Sequence, residues 1–349
     1  MPSPRASGYG GYHAAYADDF DVFFSNPAVL SKIKKQIALA DLTFSLLDFG
    51  MVGILLDYVT KKAPLNYMSF LEEGIENGLY LGGPLASGFI GDGWGVGFFN
   101  NTRLHIRWVK DEIWRARFSL SQDFFIMGGL GFQIFDLDGL SCDAGFTAKL
   151  FQRGSFLQSL YLQELKYVLE NMRGDVYETQ VGGGVDLGVQ LSGEVFQAGL
   201  VLKDPFSPAL VTGYRNYENY KIHQEMESVL ITVTPRLAVG AVFYPPAPDF
   251  WSHIITNFLI TADFKQLLFF LEENWRNPLL ELSAGFEIEL TNAFSFRIAL
   301  NEMYPAAGLG FDAGFLRFDA SIYLRELGQG VWETPRLAID AGLVYRYPR

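Results

Sequence analysis

The chain has 349 residues, 49% of them hydrophobic and only 19% charged, a mixture too apolar for a disordered chain. Its formal net charge of −12, with no Lys/Arg-rich tract among the aromatics, excludes nucleic acid as a partner. Cys142 is the only cysteine and the four histidines are scattered, which excludes an internal disulfide and leaves no cofactor or metal to expect.

Residues 1–11 lack the charged start and apolar stretch of a signal peptide, so an exported form reads as a mature chain with an added Met. Over residues 14–31, Phe20, Val22, Phe23, Phe24 and Val29 are apolar, yet Asp18, Asp19 and Asp21 interrupt any long alternation. Such a segment cannot sit in lipid, where broken backbone leaves polar groups unpaired. Asn26-Pro27 marks a turn within it, because proline fixes φ and asparagine bonds nearby backbone groups. Residues 46–58 come closest to a continuous apolar run, but Asp48 and Asp57 break it, and no window of about 20 residues makes a transmembrane helix.

Residues 69–77 (SFLEEGIEN) and 155–172 (SFLQSLYLQELKYVLENM) space their apolar residues by three and four, with Leu157, Leu160, Tyr161, Leu165 and Val168 on one face. Short helices are predicted for both. Residues 204–220, rich in Pro, Tyr and Asn, read as a long ordered loop.

Elsewhere the period is two. Leu104, Ile106 and Trp108 alternate with Arg103, His105 and Arg107, and Phe146, Ala148 and Leu150 alternate with Thr147 and Lys149. Further copies lie at 181–191, 196–203, 237–243 and 258–265. The pattern is clearest near the C-terminus. Leu282, Phe286, Ile288, Phe294, Phe296, Ile298, Phe318, Ile322, Leu337, Ile339 and Leu343 fall on one face, and Glu281, Glu287, Glu289, Arg297, Arg317, Asp319, Asp340 and Arg346 on the other. Only strands separate those sets. A soluble sandwich or lipocalin-like barrel would turn the apolar face inward. Strands of about 9–11 residues, paired opposite charges on the polar face and tyrosines at the strand ends fit a membrane better. The predicted fold is all-β: a closed antiparallel transmembrane β-barrel of about 14 strands, with the first set toward lipid and the second toward the lumen.

The run AAYADDFDVFFSNPAVL at residues 14–30 places an Asp-rich turn before Phe23-Phe24-Ser25-Asn26-Pro27-Ala28. This opening resembles that of the FadL/TodX superfamily of outer-membrane transporters, whose relatives include PorV-like and TraF-like barrels, and most of all the FadL-like proteins of spirochaetes. The closing strands are similar too, with Ala284-Gly285-Phe286-Glu287, Phe296-Arg297-Ile298-Ala299, Gly308-Leu309-Gly310-Phe311-Asp312 and Ala320-Ser321-Ile322-Tyr323. The chain departs from the best-known members at its end, where Pro348 and Arg349 follow Tyr347 instead of a terminal aromatic residue.

The resemblance implies an outer-membrane location in a diderm bacterium. It also implies an N-terminal hatch (residues 1–35) folded inside a barrel (residues 36–349), with Phe20, Phe23, Phe24, Asn26, Pro27 and Ala28 as hatch residues. The function it implies is passive uptake of hydrophobic small molecules such as long-chain fatty acids. Such a ligand is held by buried CH₂ groups and one polar anchor. Phe20, Phe23, Phe24, Leu157, Leu160 and Leu165 are candidates for the apolar lining, and Arg103, Arg107 and Arg297 for the anchor. The alternative is a non-conducting PorV-like barrel that carries a surface or periplasmic protein partner. No nucleophile elbow, phosphate loop or Cys/His pair is present, so an enzyme is not expected.

Overall fold

Alternating strands with one charged and one apolar face satisfy both faces and every edge when they close into a barrel with lipid outside. The computed structural model describes residues 3–47, 79–110, 114–161, 176–246, 254–271, 275–333 and 335–347. Its sheet is built from β1 (Gln36–Leu47), β2 (Leu79–Gly91), β3 (Trp94–Lys110), β4 (Trp114–Leu137), β5 (Leu140–Tyr161), β6 (Val176–Ser192), β7 (Phe196–Phe206) and β8 (Pro208–Tyr214). It continues with β9 (Glu227–Thr232), β10 (Arg236–Phe243), β11 (Ile255–Phe264), β12 (Leu282–Leu290), β13 (Phe294–Asn301), β14 (Tyr304–Asp312), β15 (Leu316–Glu326) and β16 (Pro335–Tyr347). Except for β7 with β8 and β9 with β10, neighbours in sequence pair antiparallel, and β1 pairs with β16 to close the sheet. β6 pairs with β7 over one half of its length and with β8 over the other, while β10 pairs with β7 and β9 with β8. β7 with β8, and β9 with β10, therefore each make one crossing, and the barrel has 14 strands.

The faces divide by charge as the alternation requires. Phe294, Phe296, Ile298, Phe318, Ile322, Leu337 and Leu343 are exposed on the outside, and Leu282, Phe286, Ile288 and Ile339 are partly exposed. Glu287, Arg297, Arg317, Asp319, Asp340 and Arg346 are buried inside. Exposed leucine and phenylalanine with buried arginine invert the soluble pattern, and the apolar belt places the barrel in the outer membrane.

Three expectations are corrected. Residues 155–161 are not helical: β5 runs to Tyr161, paired with β4 from Arg115 and with β6 from Val176. Pairing with β4 runs along that whole stretch and β6 adds a second partner up to Leu157, whereas a lone short helix is marginal. Residues 204–220 are not one loop, since β7 reaches Phe206, β8 covers Pro208–Tyr214 and a short helix follows at Tyr217–Lys221. The proline and aspartate there mark a bulge: the β6–β7 register shifts between Val185 and Asp186, and Asp204 takes φ +56°. Finally, β4 has 24 residues and β5 has 22, not 9–11. At about 3.3 Å per residue, such strands extend well past a hydrocarbon band about 25 Å tall. The helix expected at 69–77 lies outside the described residues, as do Leu165 and Val168.

Candidate functional site

The N-terminal segment touches opposite sides of the wall, so it lies in the lumen. A short helix, Pro4–Gly8, starts on Ser3, whose Oγ accepts from Ala6 N at 3.1 Å, with proline at a first-turn position where no amide is needed. It packs against β13–β16, and Ser7 Oγ donates to Asp340 at 2.7 Å. The chain then turns at Gly10 and Gly11, both at φ +102°, which glycine adopts without strain. On the far side of that turn, His13 Nδ1 lies 2.5 Å from Asp263 of β11, and the same carboxylate accepts from Ala14 N at 2.7 Å. The wall makes room by omitting side chains: a Cβ on Gly199 of β7 would stand 1.9 Å from the Ala14 carbonyl oxygen.

Phe20 and Phe23 sit in a 3₁₀ turn, Phe20–Phe23, begun by Asp19, which accepts from Asp21 N at 2.9 Å. They join Val22, Leu30 and Ile33 in a cluster with Ile90, Phe99 and Met127 from β2, β3 and β4. Phe24 packs edge-on to Phe99 at 4.8 Å and stacks on Tyr12 at 5.5 Å. Asn26 is fully buried. Its Oδ1 accepts from Ala28 N at 3.0 Å, capping the turn Pro27–Ser31, while Nδ2 donates to Ala14 O at 2.6 Å and to Val189 O of β6 at 3.1 Å. One amide thus fixes the turn, the segment to itself and the segment to the wall. Lys32 Nζ adds an ion pair of 2.6 Å to Asp143 of β5.

The charged face of β12–β15 forms a buried network with this segment. Arg297 is 1% exposed and pairs with Glu287 and, at 2.7 Å, with Asp319. Gly310 opposite leaves the guanidinium its space. Arg317 holds Asp319 at 2.6 Å, and Arg5 holds Glu287 at 3.1 Å, Tyr16 Oη at 3.0 Å and Asp18. Burial alone would lower the Arg5 pKa, but Asp18 and Glu287 hold it well above its usual value. Burial, then the neighbouring Asp19, pushes the Asp21 carboxyl well above the usual aspartate range, because the charged form loses water beside a like charge.

Three cavities lie in series. One of about 340 Å³ opens at the end with the longer connections 265–281 and 327–334, and is lined by residues including Tyr12, Lys203, Lys265 and Arg325. A second, of about 300 Å³, lies at the end with the tight turns near Asp312 and Glu289, and includes Lys32, Gln190 and Tyr244. Between them, inside the N-terminal segment, is a void of about 20 Å³ that shares Gly11, Tyr12, His13 and Ser25 with the first and Arg5, Tyr16, Ala17 and Asp18 with the second. That is room for about one water molecule.

Of the residues picked from sequence, Phe20, Phe23, Phe24, Asn26, Pro27, Ala28 and Arg297 come together in the lumen. Phe20 and Phe23 pack in the cluster, and Arg297 is occupied by two carboxylates. Arg103 pairs with Asp123 on β4 instead of standing ready for a ligand. Leu157 and Leu160 lie on β5, with side chains outside the described residues, as is that of Arg107. Sequence reasoning passed over Arg5, His13, Lys203 and Lys265. Alternation along β7 puts Lys203 on the inner face, so that signal was present. Nothing local marks Arg5 or His13, whose partners Glu287 and Asp263 are 282 and 250 residues away.

No protein-family model matches the sequence, and neither does any curated protein. Solved structures do match in fold. The toluene transporter TbuX of Ralstonia pickettii superposes with a TM-score of 0.52 at 13% identity, over 99% of this chain and 98% of the other. The toluene transporter TodX of Pseudomonas putida gives 0.52 at 12% identity, over 98% and 97%. A monoaromatic hydrocarbon channel, CymD, gives 0.50 at 13% identity, over 100% and 97%. The fold is that of the FadL/TodX outer-membrane barrels.

Proposed function

We propose that this barrel of FadL/TodX fold is a passive outer-membrane channel for hydrophobic small molecules, long-chain fatty acids among them. In this reading residues 1–35 are a hatch domain and residues 36–349 the channel wall. The observation that carries it is the series of cavities interrupted within the N-terminal segment. A scaffold would need no space on both sides of a plug. The hatch is held to the wall by polar contacts, among them Arg5–Glu287, Ser7–Asp340, His13–Asp263, Asn26–Val189 and Lys32–Asp143, and water can replace each of them at a net cost of about 0.5–3 kcal/mol. The apolar cluster around Phe20, Phe23 and Phe24 gives a hydrophobic solute a surface to replace as it passes.

The near-closed void also suits the non-conducting alternative, a carrier for a protein partner, so the two readings need a functional test. Cells with an intact outer membrane, with and without this protein, are given labelled toluene or labelled oleate in the presence of an uncoupler. Protein-dependent uptake that survives the uncoupler is the expected result. Uptake equal in both strains rejects the channel.

A further inference from the structure

The wall is uneven in height. β3, β4, β5 and β6 have 17, 24, 22 and 17 residues, but β12, β13 and β14, across the barrel from them, have 9, 8 and 9. A membrane strand needs about 9–11. At about 3.3 Å per residue and a tilt of about 40°, β13 rises only about 20 Å against a hydrocarbon band about 25 Å tall. On this side something other than strand has to complete the apolar belt, or the bilayer has to thin.

The connections that flank the short strands carry what is missing. They lie at the end with the longer connections, the outward-facing end of such barrels. Phe270, Leu271, Trp275, Leu279, Leu327 and Trp332 are 48–64% exposed. None of the six lines the mouth cavity at that end, whereas Lys265, Gln266, Arg276 and Glu281, from the same stretch of chain, do. The division of the strands into a polar lumen and an apolar outside is thus carried on by the loops. These are also pinned in place: Asn277 N donates to Gln329 O at 2.7 Å, Arg276 Nη2 to Glu326 O at 3.0 Å and Trp332 N to Tyr304 Oη at 2.6 Å. Trp332 is held at φ +64°, where bulky residues are rare. Water gives no return for fixing large apolar side chains in the open, but a membrane does, and aromatic residues favour its interface.

We infer that residues 267–271, 275–279 and 327–332 form a shelf buried in the outer leaflet, with lipid acyl chains as the partner of these six side chains. The shelf extends the lipid-facing belt over the short strands. The barrel is therefore sunk on the β12–β14 side and stands clear of the bilayer on the β3–β6 side, whether or not its lumen conducts.

The test uses the full chain in lipid vesicles, with Cys142→Ala as background and one nitroxide label at a time on Phe270→Cys, Trp332→Cys, Phe296→Cys or Met226→Cys. Phe296 is in the belt. Met226, also apolar and 70% exposed, bonds to Gly213, level with Glu178 on the tall side. Oxygen concentrates in hydrocarbon and a nickel chelate in water, so the ratio of their collision rates reports the surroundings of each label. The ratio at 270 and 332 should match that at 296 and exceed that at 226 several-fold. Without any label, lipids brominated on their chains should quench the tryptophan fluorescence, and Trp275→Phe with Trp332→Phe should reduce the quenched part. A ratio at 270 and 332 equal to that at 226, or unchanged quenching in the double variant, would put the loops in water and overturn the inference. Spin–spin broadening at 270 or 332 that disappears on dilution with unlabelled chain would assign the surface to a second copy, and overturn it equally.

Discussion

Replacing Arg297 with methionine removes the centre of the lumen's charge network and keeps most of its volume. Arg297 is 1% exposed, and it joins Glu287 to Asp319, themselves 1% and 5% exposed. Breaking a buried pair by deleting one partner costs about 3–5 kcal/mol, because a charge is left uncompensated. Here each orphaned carboxylate keeps another arginine, Arg5 at 3.1 Å for Glu287 and Arg317 at 2.6 Å for Asp319. That argues for the lower end, about 3 kcal/mol. The triple change Arg297→Met, Glu287→Gln, Asp319→Asn removes these three charges together, leaves Arg5 to Asp18 and Arg317 to Asp19, and should recover part of the loss. Urea unfolding in lipid vesicles, read by tryptophan fluorescence, measures both. A loss below about 1 kcal/mol for Arg297→Met, the value of a solvated surface pair, would refute a dry, packed network at this place.

On the opposite face of the same strand, Phe296→Arg should cost about 2–4 kcal/mol if the site lies near the bilayer midplane, measured in the same unfolding assay; a cost near zero would mean the side chain does not meet lipid. Gly199→Val places a side chain where even a Cβ would be 1.9 Å from Ala14 O. It should displace the hatch and make residues 3–33 protease-sensitive, with an overpacking cost of about 1–3 kcal/mol; protease resistance equal to wild type would contradict that contact. The raised Asp21 carboxyl gives hatch docking a pH dependence. Its favourable contribution is complete below the unfolded aspartate value near pH 4 and is lost as pH rises through the higher folded value. Protection from hydrogen exchange over residues 3–33, taken relative to the intrinsic exchange rate at each pH, should therefore be greater in acid than at neutral pH by a margin that Asp21→Asn removes. An equal margin in the variant would show that another group is responsible.

The barrel was legible because its signal is local: a period of two survives in any window of ten residues, as at Phe294, Phe296 and Ile298 against Ser295 and Arg297. The errors arose where two periods overlap. Leu157, Leu160 and Tyr161 sit at helical spacing, yet β4 offers that stretch ladder partners throughout and β6 offers a second up to Leu157, and tertiary pairing outweighs spacing. Pro205 read as loop because proline cannot donate to a ladder, but a bulge accommodates the same deficiency within a strand. The charged mouth was hidden for another reason: Lys203, Arg236, Lys265, Arg276 and Arg325 come from five separate stretches of chain, and only the closed sheet brings them together.

The claim that matters most is that the lumen is a route and residues 3–33 are what closes it. Planar-bilayer conductance of the full chain and of a chain lacking residues 1–31 compares the two states directly. The full chain should hold a low, stable conductance, since its inner void of about 20 Å³ admits about one water molecule, and the shortened chain should conduct small ions steadily as a folded barrel. Equal conductance from the two, with the shortened barrel still folded, would contradict a hatch-gated channel.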